Sequence, residues 1–169
     1  MEASRTLILT AEQIQQKINR IAYQIYENNY SEKSIVIAGI ANRGTILAER
    51  LANQLEVISP IKVIRAEVTL NKDNPLQEPI LLSIPTKSLS GKVVVLVDDV
   101  LNSGKALLYG IEPFLKVQVK SIITVVLVDR NHNRYPIKAD FVGLSLATTL
   151  QEHIAVELGK KGKDAVYLQ

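Results

Sequence analysis

Two adjacent aspartates, Asp98 and Asp99, stand between an apolar run and a short loop that carries Ser103, Gly104 and Lys105. Paired carboxylates can accept hydrogen bonds from sugar hydroxyls or approach a bound cation. Backbone amides at the start of a helix form a cradle for a phosphate, and a glycine lets the backbone come close to it. An isolated Asp-Asp pair often only begins a polar turn, but here the strand, the acids and the loop occur together. The combination predicts a site for a phosphorylated sugar.

The run before the acids, Val93–Val97, is apolar at every position and predicts a strand buried on both faces. Ile35–Ala38 and Ile122–Val128 have the same character. The first two of these strands each lead through a turn into an amphipathic helix and then into a further strand. This order makes two βαβ units, so we expect an α/β fold with a parallel sheet flanked by helices. Ligands bind beyond the carboxyl ends of such strands, and we therefore expect Asp98 and Asp99 at an exposed strand end.

Other elements frame this sheet. Thr10 and Gln13 predict a capping box for an opening helix, because isoleucines follow them at helical spacing. Pro113 predicts a kink or an early end for the helix after the acids. Asn71–Pro79 contains two prolines and polar residues, and it predicts an exposed loop.

The C-terminal part of the chain predicts a different kind of structure. His153–Leu158 and Asp164–Leu168 flank Gly159–Lys163, which is typical of a β-hairpin. We expect a small antiparallel hood, formed mainly by residues 135–169, that leans over the sheet. The whole chain, residues 1–169, is then a single domain.

Composition excludes several classes of protein. The chain has 169 residues and no cysteine, which excludes disulfide scaffolds and cysteine-based metal or thiol chemistry. Its two histidines leave little room for a histidine-built metal site. No apolar run is long enough to cross a bilayer, so we expect a soluble, cytoplasmic protein without a membrane partner. The formal net charge of +3, with many basic residues after Lys116, fits either a solvated surface or a polyanionic partner.

The segment from Val93 to Ala106 resembles the phosphoribosyl-pyrophosphate binding motif of the type I phosphoribosyltransferases. In that family two acids at a strand end contact the ribose 2′- and 3′-hydroxyls, and the loop after them binds the 5′-phosphate. The resemblance assigns the ribose contacts to Asp98 and Asp99. It assigns the phosphate loop to five consecutive residues, Asn102, Ser103, Gly104, Lys105 and Ala106. Asn102 and Ala106 depart from the family pattern, which often has a hydroxyl residue at the second of these positions.

A second segment, Val36–Thr45, resembles the pyrophosphate loop of the same family, in which an Arg-Gly pair closes the turn. Carried over residue by residue, this loop consists of Ala41, Asn42, Arg43 and Gly44. Arg43 and Gly44 match the pattern, whereas Ala41 and Asn42 differ from its commonest form. Taken alone, these residues would also fit an ordinary strand-to-helix turn.

Within the family the chain is most similar to bifunctional regulators of pyrimidine operon attenuation that also have uracil phosphoribosyltransferase activity. Val68–Asp73 resembles the start of their flexible active-site loop, with Lys72 in the place of an arginine. Val128–His132 resembles their Val-Asp-Arg-Gly-His segment, and Pro136–Gly143 resembles part of their hood. The resemblance therefore assigns base binding to five residues, with the aromatic ring stacking on the base: Asp129, Arg130, Phe141, Val142 and Gly143.

The implied reaction transfers the 5-phosphoribosyl group from phosphoribosyl pyrophosphate to a nucleobase, with uracil giving UMP and pyrophosphate. The implied catalytic residues are Asp98, Asp99, Arg43 and Lys72. Mg²⁺ is the implied cofactor, and the substrate carries it close to the two acids, because the protein alone fixes no metal site. The resemblance also implies a homodimer or a higher homo-oligomer.

Three alternatives remain open. A purine could replace uracil: the chain lacks the lysine that purine enzymes have near Asp129 and has Thr148 where they have an aspartate, but it shares Asp140–Gly143 with them. An RNA-binding regulator, with or without catalysis, could hold a leader RNA on a basic face that contains Arg130, Arg134 and Lys138. A sensor of phosphoribosyl pyrophosphate without turnover is the third.

Overall fold

The computed structural model describes residues 4–159 and 162–169, in which strands and helices alternate through the first two thirds of the chain. The helices are α1 (Ala11–Asn29), α2 (Arg43–Ile58) and α3 (Lys105–Gly110). The strands are β1 (Thr6–Leu9), β2 (Ser34–Ile40), β3 (Lys62–Thr69), β4 (Leu81–Leu82), β5 (Val93–Leu101), β6 (Ser121–Asp129), β7 (Phe141–Ser145), β8 (Ile154–Glu157) and β9 (Ala165–Leu168).

The main sheet has six strands in the order β4-β3-β2-β5-β6-β7. All neighbouring strands run parallel except the short β4, which pairs antiparallel with β3. The strand order reverses between β2 and β5, so the loops that follow these two strands meet at the same edge of the sheet. Such a switch point is where open parallel sheets bind ligands, and the predicted α/β fold is confirmed.

Apolar residues on both faces of the strands explain why the sheet is covered on two sides. One face packs against the isoleucines of α1 and the leucines of α2. The other packs against α3, Phe114 and Ile137. In β5, Val93, Val95 and Val97 point to the first face, and Val94 and Leu96 point to the second.

The helix ends follow from local sequence. The side chain of Thr10 accepts a hydrogen bond from the Gln13 amide, and the Gln13 side chain accepts one from the Thr10 amide, which confirms the predicted capping box of α1. α3 ends at Gly110 after 6 residues, and Pro113 lies in a separate 3₁₀ turn, Glu112–Leu115. The predicted early end of this helix is therefore confirmed.

The hood differs from the prediction in two ways. β8 and β9 form the predicted antiparallel hairpin, but β1 pairs with β9 and completes a three-stranded sheet with the order β1-β9-β8. β7 lies within the predicted hood range 135–169, yet it pairs parallel with β6 and belongs to the main sheet. In the predicted hairpin turn, Lys160 and Lys161 lie outside the described residues.

No helix in the described ranges combines the length and the apolar character that a membrane span requires.

Candidate active site

The acid pair lies within β5 rather than at its exposed end. β5 continues to Leu101, since it stays paired with β6 as far as Asp129. Asp98 is only 2% exposed and Asp99 only 7% exposed. The prediction of an exposed strand end is therefore wrong, because the neighbouring strand is long enough to extend the ladder past the acids.

A lysine from a distant loop covers the buried carboxylates. Lys72 Nζ lies 2.9 Å from Asp98 Oδ1 and 3.9 Å from Asp99 Oδ1. Burial is the main cause that raises the pKa of Asp98 to about 7, and the nearby charge of Asp99 adds to it, whereas the positive charge of Lys72 opposes the rise. The pKa of Asp98 therefore lies near neutral pH, so a ligand that brings charge to this carboxyl group or removes charge from it changes its ionisation.

The predicted phosphate loop forms one wall of a cavity of about 290 Å³ that also contains Lys72, Asp98 and Asp99. Gly104 has φ +89°, and a Cβ built on it would lie 2.7 Å from Ile137 Cγ2. Only glycine satisfies both the backbone angle and the close approach. The loop is thus formed where the resemblance places it, with Asn102 exposed and Ala106 half-buried in the cavity wall.

Downstream residues support this loop from behind. The Ser103 carbonyl accepts hydrogen bonds from the amides of Arg134 (2.8 Å) and Tyr135 (3.1 Å). The Ser103 hydroxyl accepts one from the Lys105 amide at 3.2 Å. Lys105 Nζ reaches the Asp73 carbonyl at 3.2 Å, so this lysine connects the phosphate loop to the loop that carries Lys72.

The predicted pyrophosphate loop connects β2 with α2 and contains a cis peptide bond between Ala41 and Asn42. Gly44 is buried, and a Cβ at this position would lie 2.7 Å from the Val97 carbonyl oxygen and 3.1 Å from Asp98 Cα. The helix can therefore approach the acid pair directly because residue 44 has no side chain. Arg43 is exposed at the first position of α2 and lines a second cavity, of about 420 Å³.

The structure separates the predicted base-binding residues. Asp129 ends β6 at the edge of the sheet that carries the acids, where its carboxylate accepts a hydrogen bond from the Asn131 amide at 2.9 Å. Arg130 is only 9% exposed, and its guanidinium donates to four acceptors, namely Asn102 Oδ1, Thr148 Oγ1 and the carbonyls of Thr149 and Glu152. Four of its five N–H donors are used within the protein and the side chain is buried, so the prediction that Arg130 binds the base does not fit its position.

Phe141, Val142 and Gly143 lie in the main sheet, away from the acids. Phe141 pairs with Val125, which is four residues or about 13 Å before the carboxyl end of β6 at a rise of about 3.3 Å per residue. Its ring packs against the core cluster that contains α1, and Arg20 of that helix donates to the carbonyls of Val142 and Gly143. The structure does not bring these three residues to the site, because the segment continues the sheet instead of folding over it.

The hood contributes residues that the sequence analysis did not assign to the site. Val156, Glu157 and Leu158 line the second cavity together with Arg43. The Arg50 guanidinium on α2 pairs with both carboxylate oxygens of Asp164, one of them at 3.0 Å, and this pair holds the hood hairpin against the helix. The alternating apolar residues of β8 predicted a strand, but no local pattern reveals which loop it faces.

Comparison with known proteins connects this geometry to a family. The model of the phosphoribosyl transferase domain matches residues 4–159. Curated relatives include the bifunctional protein PyrR of Fusobacterium nucleatum, 35% identical, with 99% of both chains covered. The bifunctional protein PyrR of Synechocystis is 38% identical, with 99% of this chain and 98% of the relative covered.

Solved structures agree on the fold. A hypoxanthine phosphoribosyltransferase of Trypanosoma cruzi superposes with a TM-score of 0.77 at 19% identity, covering 97% of this chain and 96% of the other. A hypoxanthine-guanine phosphoribosyltransferase of Bacillus anthracis has a TM-score of 0.71 at 20% identity and covers 86% of this chain and 85% of its own. The fold, the acid pair beside the phosphate loop, and relatives that align over nearly the whole chain all lead to one conclusion: the chain belongs to the phosphoribosyl transferase domain family.

Proposed function

We propose that this phosphoribosyltransferase transfers the 5-phosphoribosyl group of phosphoribosyl pyrophosphate to uracil, giving UMP and pyrophosphate. The observation that carries the proposal is the buried acid pair beneath Lys72, in the same cavity as the phosphate loop. The acids suit ribose hydroxyls and the loop suits a phosphate, so one sugar phosphate can engage both.

Each of the proposed catalytic residues has a role that its position supports. Asp98 and Asp99 accept hydrogen bonds from the ribose hydroxyls and offset the positive charge that develops on the sugar as pyrophosphate leaves. Lys72, whose amine contacts Asp98 Oδ1 in the same cavity, is the proposed positive partner of the departing pyrophosphate. Arg43 is exposed at the first position of α2, and it is the second positive partner proposed for the pyrophosphate.

Mg²⁺ fits this site as a partner of the substrate. Among the residues that the structure describes, no group of three or more acidic or histidine side chains converges on one point. Mg²⁺ is held in many phosphate sites by one or two carboxylates together with substrate oxygens, and Asp98 and Asp99 provide such a pair. When bound, the ion would neutralise charge on the pyrophosphate.

The choice of uracil rests on the residues near the carboxyl end of β6. A purine carbonyl needs a hydrogen-bond donor, and Asp129 offers a carboxylate at the position where purine enzymes of the family have a lysine. A buried carbonyl left without a donor costs about 1–3 kcal/mol, and about 1.4 kcal/mol within this range already corresponds to tenfold in turnover. Since Phe141 lies in the sheet, the half-buried apolar side chain of Leu158, which lines the same cavity as Arg43, is the proposed contact for the face of the base.

A substrate panel tests the proposal directly. Purified protein is incubated with phosphoribosyl pyrophosphate, Mg²⁺ and either uracil, hypoxanthine, guanine, xanthine or adenine, and the release of pyrophosphate is measured. We expect turnover with uracil to exceed that with any purine by at least about tenfold. The double change Asp98→Asn with Asp99→Asn should abolish turnover, whereas Glu27→Gln on the exposed face of α1 should not. Equal turnover of a purine would contradict the choice of base, and a fully active double variant would contradict the transferase site.

A second function, regulation of pyrimidine genes through RNA, is supported by the name bifunctional protein that the curated relatives share. Arg134 and Lys138 are exposed and can contact phosphates, but the buried Arg130 does not join them. The test is binding of a pyrimidine-leader RNA that weakens with salt and changes with UMP. Binding that Arg134→Ala with Lys138→Ala leaves unaltered would contradict this face.

A homodimer or higher homo-oligomer, a cytoplasmic location and a single domain over residues 1–169 stay predictions of the sequence. Sedimentation velocity of the purified protein measures the first of these.

A further inference from the structure

Arg130 connects two parts of the chain that are far apart in sequence. Its Nη1 donates to Asn102 Oδ1 of the phosphate loop at 2.9 Å. Its Nε donates to Thr148 Oγ1 at 3.1 Å, and its Nη2 donates to the carbonyls of Thr149 and Glu152. One rigid, planar group thus touches the phosphate loop at one end and the segment 148–152 at the other.

The segment that Arg130 holds is a closed turn. The Glu152 amide donates to the Thr149 carbonyl at 3.3 Å, and the Thr149 amide donates to Glu152 Oε2 at 2.6 Å. Arg130 binds the carbonyls at both ends of this turn. β8 begins two residues later, and its residues Val156 and Glu157 line the cavity that contains Arg43.

From these contacts we infer that Arg130 is a positioning residue, which couples the phosphate loop to the hood and so makes the second cavity respond to occupation of the first. The inference rests on the proposed function, because it takes phosphoribosyl pyrophosphate as the ligand of the phosphate loop.

The chemistry of the contact explains why it can transmit a movement. A buried guanidinium loses free energy when one of its acceptors is withdrawn, and no carboxylate in the described ranges forms an ion pair with Arg130. All of its acceptors are therefore neutral oxygens, and each is needed. A shift of the phosphate loop that moves Asn102 must be followed by Arg130, or the bond is lost.

Asn102 is the contact that a mutation can remove most cleanly. It is exposed and supplies only a side-chain oxygen, so Asn102→Ala leaves the bonds of Arg130 to the hood intact. Asn102→Asp keeps an acceptor at the same place. Asn28→Ala on the exposed face of α1 is the matched control, since the Asn28 side chain donates only to the Gln24 carbonyl of the same helix within the described part of the chain.

The experiment measures hydrogen–deuterium exchange by mass spectrometry in peptides covering residues 148–158, with and without saturating phosphoribosyl pyrophosphate and Mg²⁺. Calorimetry first establishes that each variant binds this probe. We expect the ligand to slow exchange in this segment of the unaltered protein, of Asn102→Asp and of Asn28→Ala, and this protection to be lost in Asn102→Ala. In steady-state assays, the KM for uracil at saturating phosphoribosyl pyrophosphate should rise about five- to tenfold in Asn102→Ala with kcat nearly unchanged.

Two further outcomes complete the test. Arg130→Lys keeps the charge but cannot span the same acceptors, so adding Asn102→Ala to it should raise the KM for uracil no further. The coupling is wrong if phosphoribosyl pyrophosphate binds but leaves exchange in residues 148–158 unaltered, or if Asn102→Ala keeps the protection. Failure of the unaltered protein to bind the probe would overturn the proposed function itself, together with the coupling.

Discussion

The loops that follow β2 and β5 both lead from a parallel strand into a helix, but the protein holds them in place by different means. The first loop is fixed by the sheet: Gly44 lets α2 contact the backbone of β5 beside Asp98, and the Ala41 amide donates to the Val68 carbonyl at 2.9 Å. The second loop is held from outside the sheet, by Ile137 behind Gly104 and by the amides of Arg134 and Tyr135.

Helix length is consistent with this difference. α2 has 16 residues and a row of buried leucines that anchor it to the sheet, whereas α3 has only 6 residues. A short helix contributes little packing of its own, so its N-terminal loop depends on segments that come later in the chain. A change at the first loop should therefore disturb the acids directly, and a change at the second should act mainly on ligand affinity.

Gly44→Ala should have the largest effect on turnover, because it disrupts the contact between the first loop and β5. The new Cβ would meet the Val97 carbonyl oxygen at 2.7 Å and Asp98 Cα at 3.1 Å, and backbone atoms cannot rotate away. A displacement of about 1 Å at a reacting group costs about 100-fold in rate, so we expect pyrophosphate release to fall by at least about that factor. Gly91→Ala is the control, because a Cβ there meets nothing within 4 Å; its φ of +69° should cost the variant some stability but leave its turnover unchanged. A Gly44→Ala variant with ordinary turnover would show that the contact with β5 does not position the acids.

Gly104→Ala probes the second arrangement and should have a smaller effect. A side chain at φ +89° lowers the free energy of unfolding by about 1–2 kcal/mol. The new Cβ would also lie 2.7 Å from Ile137 Cγ2. A side-chain atom can move aside, so we expect the protein to fold and to bind phosphoribosyl pyrophosphate about tenfold more weakly in calorimetry. Adding Ile137→Ala should restore only part of the affinity, because the backbone angle remains. Complete recovery in this double variant would mean that the left-handed conformation is unimportant.

Asp98 lies next to both loops, and its replacement should have the smallest effect, which is on thermal stability. The pKa of Asp98 is raised to about 7 in the folded protein, so the folded state holds this proton more tightly than the unfolded state. The bound proton therefore adds to the free energy of unfolding below about pH 4. This stabilisation decreases as the pH rises and is gone above about pH 7. Asp98→Asn does not ionise, and above pH 7 its melting temperature should exceed that of the unaltered protein by roughly 2–4 °C for each kcal/mol gained.

Thermal unfolding at pH 5 and at pH 8 checks this prediction. The difference between Asp98→Asn and the unaltered protein should be larger at pH 8. A difference independent of pH would mean that Asp98 is already ionised throughout this range.

The predicted site residues that the structure brings together are those whose position follows from a strand, a turn and a helix in succession. Asp98, Asp99 and the loop after them line one cavity, although β5 buries the acids because its partner β6 is long; the contact of Lys72 with Asp98 was not predicted. Phe141 was placed wrongly, since an apolar strand segment has the same pattern whether it completes a sheet or folds over it.

The sequence by itself determined the α/β class, the order of the βαβ units, the capped first helix and the hairpin near the C-terminus, because each depends on neighbouring residues and on hydrophobic periodicity. The tertiary structure alone decided that β1 joins the hood, that β7 extends the main sheet, and that Arg130 is buried between the phosphate loop and the hood. Those features depend on contacts between residues far apart in the chain, for which no local pattern carries a signal. The burial that gives Asp98 its raised pKa is of the same kind, because the strands and the lysine that enclose it come from separate segments.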